Sequence, residues 1–431
     1  MKSEIKQRIE QIKNGQVPEG YKKTKLGMVP IEWKEKRIGD VLTQRKTLMC
    51  VSEDTPLLSF TIEDGIIEPK DKKSNKRDFL IKDISTKKFA LAEIGDIIYN
   101  PANLKFGAIH RNNLRRGVVS PIYGIFYSKQ NSEFIGYLLH SQRFIDYSKI
   151  YTEGTVEKLK TLKADTFLKL KIALPPIAEQ EKIAEILSTQ DKLIELYQRK
   201  IDELHKLKKI YLSKMFPQKG KNVPEWRFPQ FTDVWEQRKL GEVCVSFEYG
   251  LNVAAKEFDG INKYIRITDI DDNTRAFLSD DLTSPDCDLS SAEQYQLQEG
   301  DIVFVRTGAS VGKSFIYKDS DGLVYYAGFL IRARISENTY PDFVFYNTLT
   351  KQYEKFVRIT SQRSGQPGVN AQEYATFEFS LPSYEEQEAI GHFFRTLDNL
   401  ITLHQRKLDE MKKVKKALMQ LLLTGIVRVA K

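Results

Sequence analysis

The feature that most constrains this chain is an internal repeat. "LPPIAEQEKIAEILSTQDKLIELYQRKIDELHKLKK" from Leu174 aligns without a gap to "LPSYEEQEAIGHFFRTLDNLITLHQRKLDEMKKVKK" from Leu381, an offset of 207 residues, with about half the positions identical. Upstream, "WKEKRIGDVL" from Trp33 answers "WEQRKLGEVC" from Trp235. Between these ends, "IGDIIYNP" from Ile94 answers "EGDIVFVR" from Glu299, and "ADTFLKLKIALP" answers "AQEYATFEFSLP". The 431 residues are therefore two copies of one unit. The stretches about 35–173 and 237–380 share little beyond the GDI turn and their ends. A scaffold kept while its inside diverges suggests two different recognition surfaces.

The closing segments read as long helices. Ile183, Gln190, Tyr197, Leu204 and Tyr211 recur every seventh residue, with Leu187, Ile194 and Ile201 four residues on and Leu193 and Leu207 at three. Ile390, Leu397, His404, Met411 and Leu418 keep the same beat, with Phe394, Ile401, Leu408 and Leu422 beside them. Such a stripe is the mark of a coiled-coil seam, so the two helices are expected to pair. Two separate amphipathic helices, each on its own domain, would leave a similar stripe. Pro175-Pro176 and Pro382 should end the preceding strands and set up the helix starts.

The variable stretches are mostly β. "IGDIIYN", "GAIHRN", "VVSPIYGIFY", "GDIVFVR", "SFIYK", "VYYAGFLIRAR" and "TFEFSLP" are β-branched and aromatic runs bounded by turn formers. "EFIGYLLHSQRFIDYSKIY" and "PDFVFYNTLTKQYEKFVRIT" have helical spacing. The expected class is α+β: two repeated, mostly-β domains and two long helices. The expected boundaries are an N-terminal helical segment (1–32), a first domain (33–176), a central helix (177–216), a second domain (217–383) and a C-terminal helix (384–431).

Several motifs imitate catalytic sites. "RTGASVGKS" at Arg306 ends like a phosphate-binding loop, but Gly308 and Gly312 are three residues apart and Thr307 occupies the glycine position. "SFIYK" follows as a strand, where such a loop needs a helix N-terminus. The expectation is a loop between two strands. "YNPAN" at Tyr99 has Ala102 and Asn103 where an amino-methyltransferase tetrapeptide needs a second proline and an aromatic. Pro285-Asp286 and Glu68-Pro69-Lys70 lie in separate turns and make no nuclease motif. Cys50, Cys244 and Cys287 are far apart, and no histidine pair has ligand spacing, so neither a metal nor a catalytic residue is expected. The charged N-terminus lacks a signal peptide's apolar run, and no stretch suits a membrane span, so the expected location is cytoplasmic.

The balance of 67 Lys and Arg against 58 Asp and Glu, a net charge of +9, fits a nucleic-acid partner. The basic patches supply candidate contacts, because Lys and Arg neutralise phosphates while Arg, Asn and Gln read base edges. In copy one these are Lys73, Asn75, Arg77, Lys105, Arg111, Asn112 and Lys158. In copy two they are Arg306, Ser310, Lys313, Arg358, Gln362, Arg363 and Gln366. The acidic tract between Asp269 and Asp288 is expected to face away from a duplex.

The order Trp, GDI, then LP-x-x-x-EQE opening a helix, stated twice, resembles the specificity subunit of type I restriction-modification systems. The resemblance is carried by "LGMVPIEWKEKRIGDVL", "VPEWRFPQFTDVWEQRKLGEV", "GDIV" with "GASVGK", "LPPIAEQEKI" and "LPSYEEQEAI". In copy one, "GDIIYNPANLKFGAI" departs from the usual Arg and glycine-lysine loop. The resemblance implies a non-catalytic reader of double-stranded DNA whose two target-recognition domains each bind half of a split site. It implies that the helices pack antiparallel as a spacer and dock methyltransferase subunits, two of them. The seam positions are Ile183, Leu187, Ile194, Ile201, Leu204, Ile390, Phe394, Ile401, Leu408 and Met411. S-adenosylmethionine and magnesium-ATP then belong to partners, the methyltransferase and a motor-nuclease subunit. A structural coiled-coil adaptor without DNA contact, or the specificity subunit of a related methyltransferase-nuclease system, is the alternative.

Overall fold

Each copy of the repeat is closed by pairing its own two ends. The computed structural model describes residues 3–72, 86–153, 161–218, 220–362 and 365–429. It contains two compact units, the first Met1–Leu196 with Leu408–Lys431, the second Tyr197–Lys407. In the first, Lys34–Arg37 pairs antiparallel with Lys171–Leu174; in the second, Glu236–Lys239 pairs with Glu378–Leu381. The segment after each tryptophan thus meets the strand before each LP. Proline cannot donate to a ladder, so both strands stop there, and the helices Ile177–Lys214 and Tyr384–Leu422 begin.

The EQE motif holds that junction. Gln180 and Gln387 each donate from Nε2 to the carbonyl of the LP proline, at 2.9 Å in both units. Glu386 accepts from the Arg227 guanidinium at 2.7 and 2.6 Å and from the Trp235 indole at 3.1 Å. The matching Glu179 accepts from Arg428, in the C-terminal tail, at 2.7 and 2.8 Å. That tail is tied down by Tyr21, which donates to the Gly425 carbonyl at 2.6 Å, and by Arg8, which donates to that of Ile426 at 2.6 Å. The segment before Trp33 is helical only over Ser3–Lys13. Residues Tyr21–Thr24 and Gly27–Pro30 form a hairpin, because "KLGM" places Gly27 at a φ of 96° in the turn.

Inside the diverged stretches the two units share a sheet. In the first its strand order is Ile109–Arg111, Ile97–Tyr99, Gly124–Ser128, Leu42–Gln44; in the second it is Ser314–Ile316, Ile302–Val305, Leu330–Ile335, Cys244–Tyr249. All neighbours are antiparallel, and corresponding strands hold corresponding places. The GDI turn explains why. Asp96 is buried, accepts from the Glu93 amide at 2.8 Å, and takes Arg45 at 2.6 and 3.0 Å. Asp301 is buried too, accepts from the Gln298 amide at 2.9 Å, and takes Arg334 at 3.0 and 2.9 Å. A forked guanidinium on a buried carboxylate is directional, so it fixes the turn against the segment that carries the arginine, the one after Leu42–Gln44 in the first unit and strand Leu330–Ile335 in the second.

Two helices follow each sheet, as the spacing predicts. Ser132–His140 and Gln142–Lys149 are separated at Ser141, whose hydroxyl caps the second; Pro341–Asn347 and Lys351–Thr360 are separated by a turn in which Thr350 is the cap. The outer parts of the units differ. The first adds a three-stranded sheet of Gly117–Val119, Phe89–Ala92 and Leu48–Met49. The second adds a parallel pair, Lys263–Ile265 with Val324–Tyr326, and an antiparallel pair, Ala255–Glu257 with Thr283–Pro285.

The helical stripes serve two sets of contacts. Ile183 and Leu187 join the first domain's core with Leu422, while Ile390, Phe394 and Ile401 join the second domain's core with Leu204. Ile201 and Leu408 are buried, and Ile194 and Met411 are half-buried. Leu207 is 41% exposed and lies outside the stripe. Pairing is antiparallel within each unit. Asp191 meets Lys415 in the first; Lys208 meets Asp398, and Tyr197 lies against His404, in the second.

Candidate nucleic-acid interface

In the second unit the "RTGASVGKS" stretch is a β-hairpin loop, joining Ile302–Val305 to Ser314–Ile316. The expected helix-free context is therefore present. Gly308 and Gly312 both have a φ of 83°, and a Cβ on Gly312 would lie 2.5 Å from a Val357 methyl. The loop presses on helix Lys351–Thr360 at that point. It is also stitched to the segment after the helix: the Gly308 amide donates to the Pro367 carbonyl at 3.0 Å, and the Val369 amide to that of Arg306 at 2.9 Å.

Two patches distant in sequence thus form one surface carrying Arg306, Ser310, Arg358, Gln362 and Gln366. Arg358, Gln362 and Gln366 are exposed. The Arg306 guanidinium lies over the Tyr249 ring at 4.9 Å and donates from Nη1 to the Gly328 carbonyl at 3.4 Å, which orients the fork. Phe329, in the turn just before strand Leu330–Ile335, is 60% exposed, and its carbonyl accepts from the Arg306 amide. A cationic fork, two amides and two aromatic faces can bind phosphate, base edges and the flat faces of unstacked bases.

Lys313 does not belong to this surface. It is buried, donates to the Ile270 carbonyl at 3.0 Å and pairs with Asp272. A buried ammonium requires such a partner, and the acidic tract supplies it. The pairing draws one aspartate of that tract, Asp272, to the loop. Beside the loop is a cleft of about 750 Å³ whose lining includes Arg275, at a φ of 63°, with Ser310, Asp272 and Glu354. Burial lowers the Arg275 pKa from its ordinary value.

The first unit uses the same frame with different contents. Its loop from Asn100 to Ala108 contains a short 3-10 turn, Leu104–Phe106, where the Lys105 ammonium lies 5.2 Å from the centre of the 64% exposed Phe106 ring. This loop too is stitched to the segment after the helices, by the Leu162 amide on the Pro101 carbonyl at 3.0 Å. Arg111 and Asn112 sit at the other end of the hairpin, beside the GDI turn. Asn112 is buried, donates to the carbonyls of Glu93 and Arg115 at 3.0 and 2.8 Å, and accepts from the Leu114 amide. Its polar atoms are used by the fold, so it is no contact residue. Arg111 is held by the Ser132 hydroxyl at 3.1 Å and by Asn113. Arg115 and Arg116 pair with Glu68 and Glu93, which reduces the charge of that patch. Burial and the neighbouring His140 ring push His110 down to about 4, so it is neutral at pH 7. Lys73, Asn75, Arg77, Lys158 and Arg363 lie outside the described residues.

The sequence pattern missed Tyr249, Phe329 and Phe106. Their signal was an aromatic beside a glycine in a turn, in "EYGL", "AGFL" and "LKFGA". Among the described residues no group of three or more His, Cys, Asp or Glu could hold a metal ion, and no helix is long and apolar enough to cross a membrane.

Residues 30–206 and 232–413 match the family described as type I restriction modification DNA specificity domain. The chain is 30% identical over 311 residues to the type I restriction enzyme MjaVIII specificity subunit of Methanocaldococcus jannaschii, covering 68% of this chain and 70% of that one. It is 24% identical over 272 residues to the type I restriction enzyme EcoKI specificity subunit of Escherichia coli, covering 60% of this chain and 57% of that one. A crystal structure of a type I restriction-modification S subunit from M. genitalium superposes with a TM-score of 0.61 at 16% identity, over 90% of this chain and 96% of that one, and so shares the fold.

Proposed function

Because the chain belongs to the type I restriction-modification DNA specificity family, with two specificity domains, we propose that it is the non-catalytic DNA reader of a methyltransferase and endonuclease complex. Each domain reads one half of a bipartite, asymmetric site in double-stranded DNA. The observation that supports this most is the shared sheet with a stitched loop platform. It carries Arg306, Ser310, Gln362 and Gln366 in the second unit and Lys105 with Phe106 in the first. One frame with two different chemistries suits two different half-sites.

Two methyltransferase subunits bind the long helices and carry S-adenosylmethionine. A motor-nuclease subunit carries magnesium-ATP, and the complex works in the cytoplasm. The helices, of 38 and 39 residues, set the number of unread base pairs between half-sites. A four-residue insertion between Leu193 and Leu207 adds about 6 Å, so the unread spacer should grow by one or two base pairs at about 3.4 Å each.

Methylome sequencing of a host with and without the chain tests the proposal. Loss of one bipartite methylated motif is expected. An unchanged methylome, together with weak, salt-insensitive retention on heparin, would favour the adaptor instead.

A further inference from the structure

A tyrosine, an aspartate and a lysine meet in the same way in both units. In the first, the Tyr137 hydroxyl donates to Asp191 Oδ2 at 2.6 Å, Lys415 pairs with Asp191 Oδ1, and the Lys415 ammonium lies 5.4 Å from the Tyr137 ring centre. In the second, the Tyr346 hydroxyl donates to Asp398 Oδ2 at 2.9 Å, Lys208 meets Asp398 Oδ1 at 2.6 Å, and its ammonium lies 5.5 Å from the Tyr346 ring centre. The tyrosines come from domain helices Ser132–His140 and Pro341–Asn347. Asp191 and Lys208 stand on the central helix, and Asp398 and Lys415 on the C-terminal helix. The acid is thus on the central helix in one unit and on the C-terminal helix in the other.

Three elements converge on each aspartate, and every member touches the other two. Apolar packing between a domain and a helix pair is non-directional and tolerates small rotations. A phenol and an ammonium sharing one carboxylate tolerate them poorly, because charged hydrogen bonds demand distance and angle. Both phenols have pKa values raised, first by burial and then by their aspartate, so they stay protonated donors. Gln180 and Gln387 also make a shared contact, each to its LP proline, but that bond joins a helix to the turn just before it. Asp342 pairs with Arg395 in the second unit, whereas the corresponding Glu133 and Ser188 of the first cannot form an ion pair. The tyrosines persist inside stretches that have otherwise diverged.

We infer that Tyr137–Asp191–Lys415 and Tyr346–Asp398–Lys208 are paired positioning latches that fix the angle of each domain on the helix pair. They thereby set how strictly the spacer between half-sites is measured. This rests on the proposed two-half-site reading. The latches touch no base, so they act on the spacer and not on the half-site sequence.

The test uses the full chain co-expressed with its methyltransferase partner. DNAs carry identical half-sites with the native spacer, one base pair fewer, and one or two more. The wild type comes first: methylation without any fixed-spacer motif overturns the two-half-site reading, whatever the variants do. Given a fixed spacer, Asp191→Asn with Asp398→Asn should raise methylation of the off-length DNAs relative to the native one by about tenfold, roughly what one charge-assisted hydrogen bond carries. Base preference in each half-site should stay as in the wild type. A merely structural role would lower thermal stability and scale methylation of all spacers alike, and that outcome overturns the latch. Should the double variant fail to fold, Tyr137→Phe and Tyr346→Phe keep the rings and remove only the hydroxyls. They should shift the ratio in the same direction, and an unchanged ratio overturns the latch.

Discussion

The loop of residues 100–108 and the loop of residues 306–313 leave corresponding strands of corresponding sheets, one in each unit, yet they present different chemistry. The first winds a 3-10 turn and offers Lys105 against Phe106. The second is a glycine-hinged hairpin loop that lays Arg306 on Tyr249 and buries Lys313. Their supports scarcely differ: a buried aspartate with a forked arginine at the far end of the strand, and a backbone stitch from the loop to the segment behind. Such anchoring separates the work of holding a loop in place from the work of reading, so contents can diverge without loss of the fold.

The sharpest way to break this comparison is to attack the anchor. Asp96→Ala and Asp301→Ala each leave an arginine facing an empty site, and each should destabilise its own unit by about 3–5 kcal/mol. The similar burial of Asp96 and Asp301 predicts effects of similar size. Urea melts of the two variants check this; a large cost at one position with none at the other would mean that the anchors are not equivalent.

The next effect separates the loops. Gly107 and Gly312 have φ values of 91° and 83°, so alanine is strained at either. At Gly312 the added Cβ also meets Val357 at 2.5 Å, whereas at Gly107 its nearest neighbour is an Ile145 methyl at 3.5 Å. Gly312→Ala should cost about 2–4 kcal/mol, strain plus overpacking, against about 1–2 kcal/mol for Gly107→Ala. Thermal melts of both variants measure the difference, and equal costs would remove the close approach to Val357 as its cause.

On the reading side, Arg306→Ala should weaken recognition of one half-site by about 1–3 kcal/mol, the worth of a good base contact. The other half-site's preference should be untouched, because distant sites act additively. Lys105→Ala should do the converse, more weakly. Methylation of half-site substitution libraries reads both, and degraded preference at both half-sites in either variant would contradict separate readers.

Much of the frame was legible in the sequence because it is written locally. The heptad stripe, the LP stop and the GDI turn are short patterns with a direct structural meaning. Lys313 and Asn112 were misread for the opposite reason. A lysine and an asparagine in glycine-rich or basic runs read as surface, but Lys313 finds its carbonyl at Ile270 and Asn112 one of its carbonyls at Glu93. Partners so far along the chain leave no local pattern. The joining of "RTGASVGKS" with "SQRSGQPG" was hidden likewise, since it depends on the amide of Val369 reaching Arg306. Tyr249 and Phe329 stand beside glycines, but only the folded chain places them beside that arginine.

The smallest effect separates the units by pH. His110 is pushed down to about 4 by burial, and then by His140, whose ring is 4.4 Å away and whose own pKa is also lowered by burial. Asp64 opposes the shift on His110 and Lys415 adds to it. Neutral His110 is favoured in the folded state, so its contribution is whole above the unfolded value near 6.5. It is lost as pH falls toward 4, because the unfolded chain then binds a proton that the folded one refuses. At pH 5.5 the loss from this one group is at most about 1.4 kcal/mol. His110→Gln keeps a polar side chain that cannot titrate, so the melting temperature of the first unit should fall less between pH 7 and 5.5 in that variant than in the wild type. Hydrogen exchange resolved by segment reads each unit separately, with the Ile109–Arg111 strand as the reporter in the first. Equal acid sensitivity in wild type and variant would show that the buried histidine is not what sets the first unit apart.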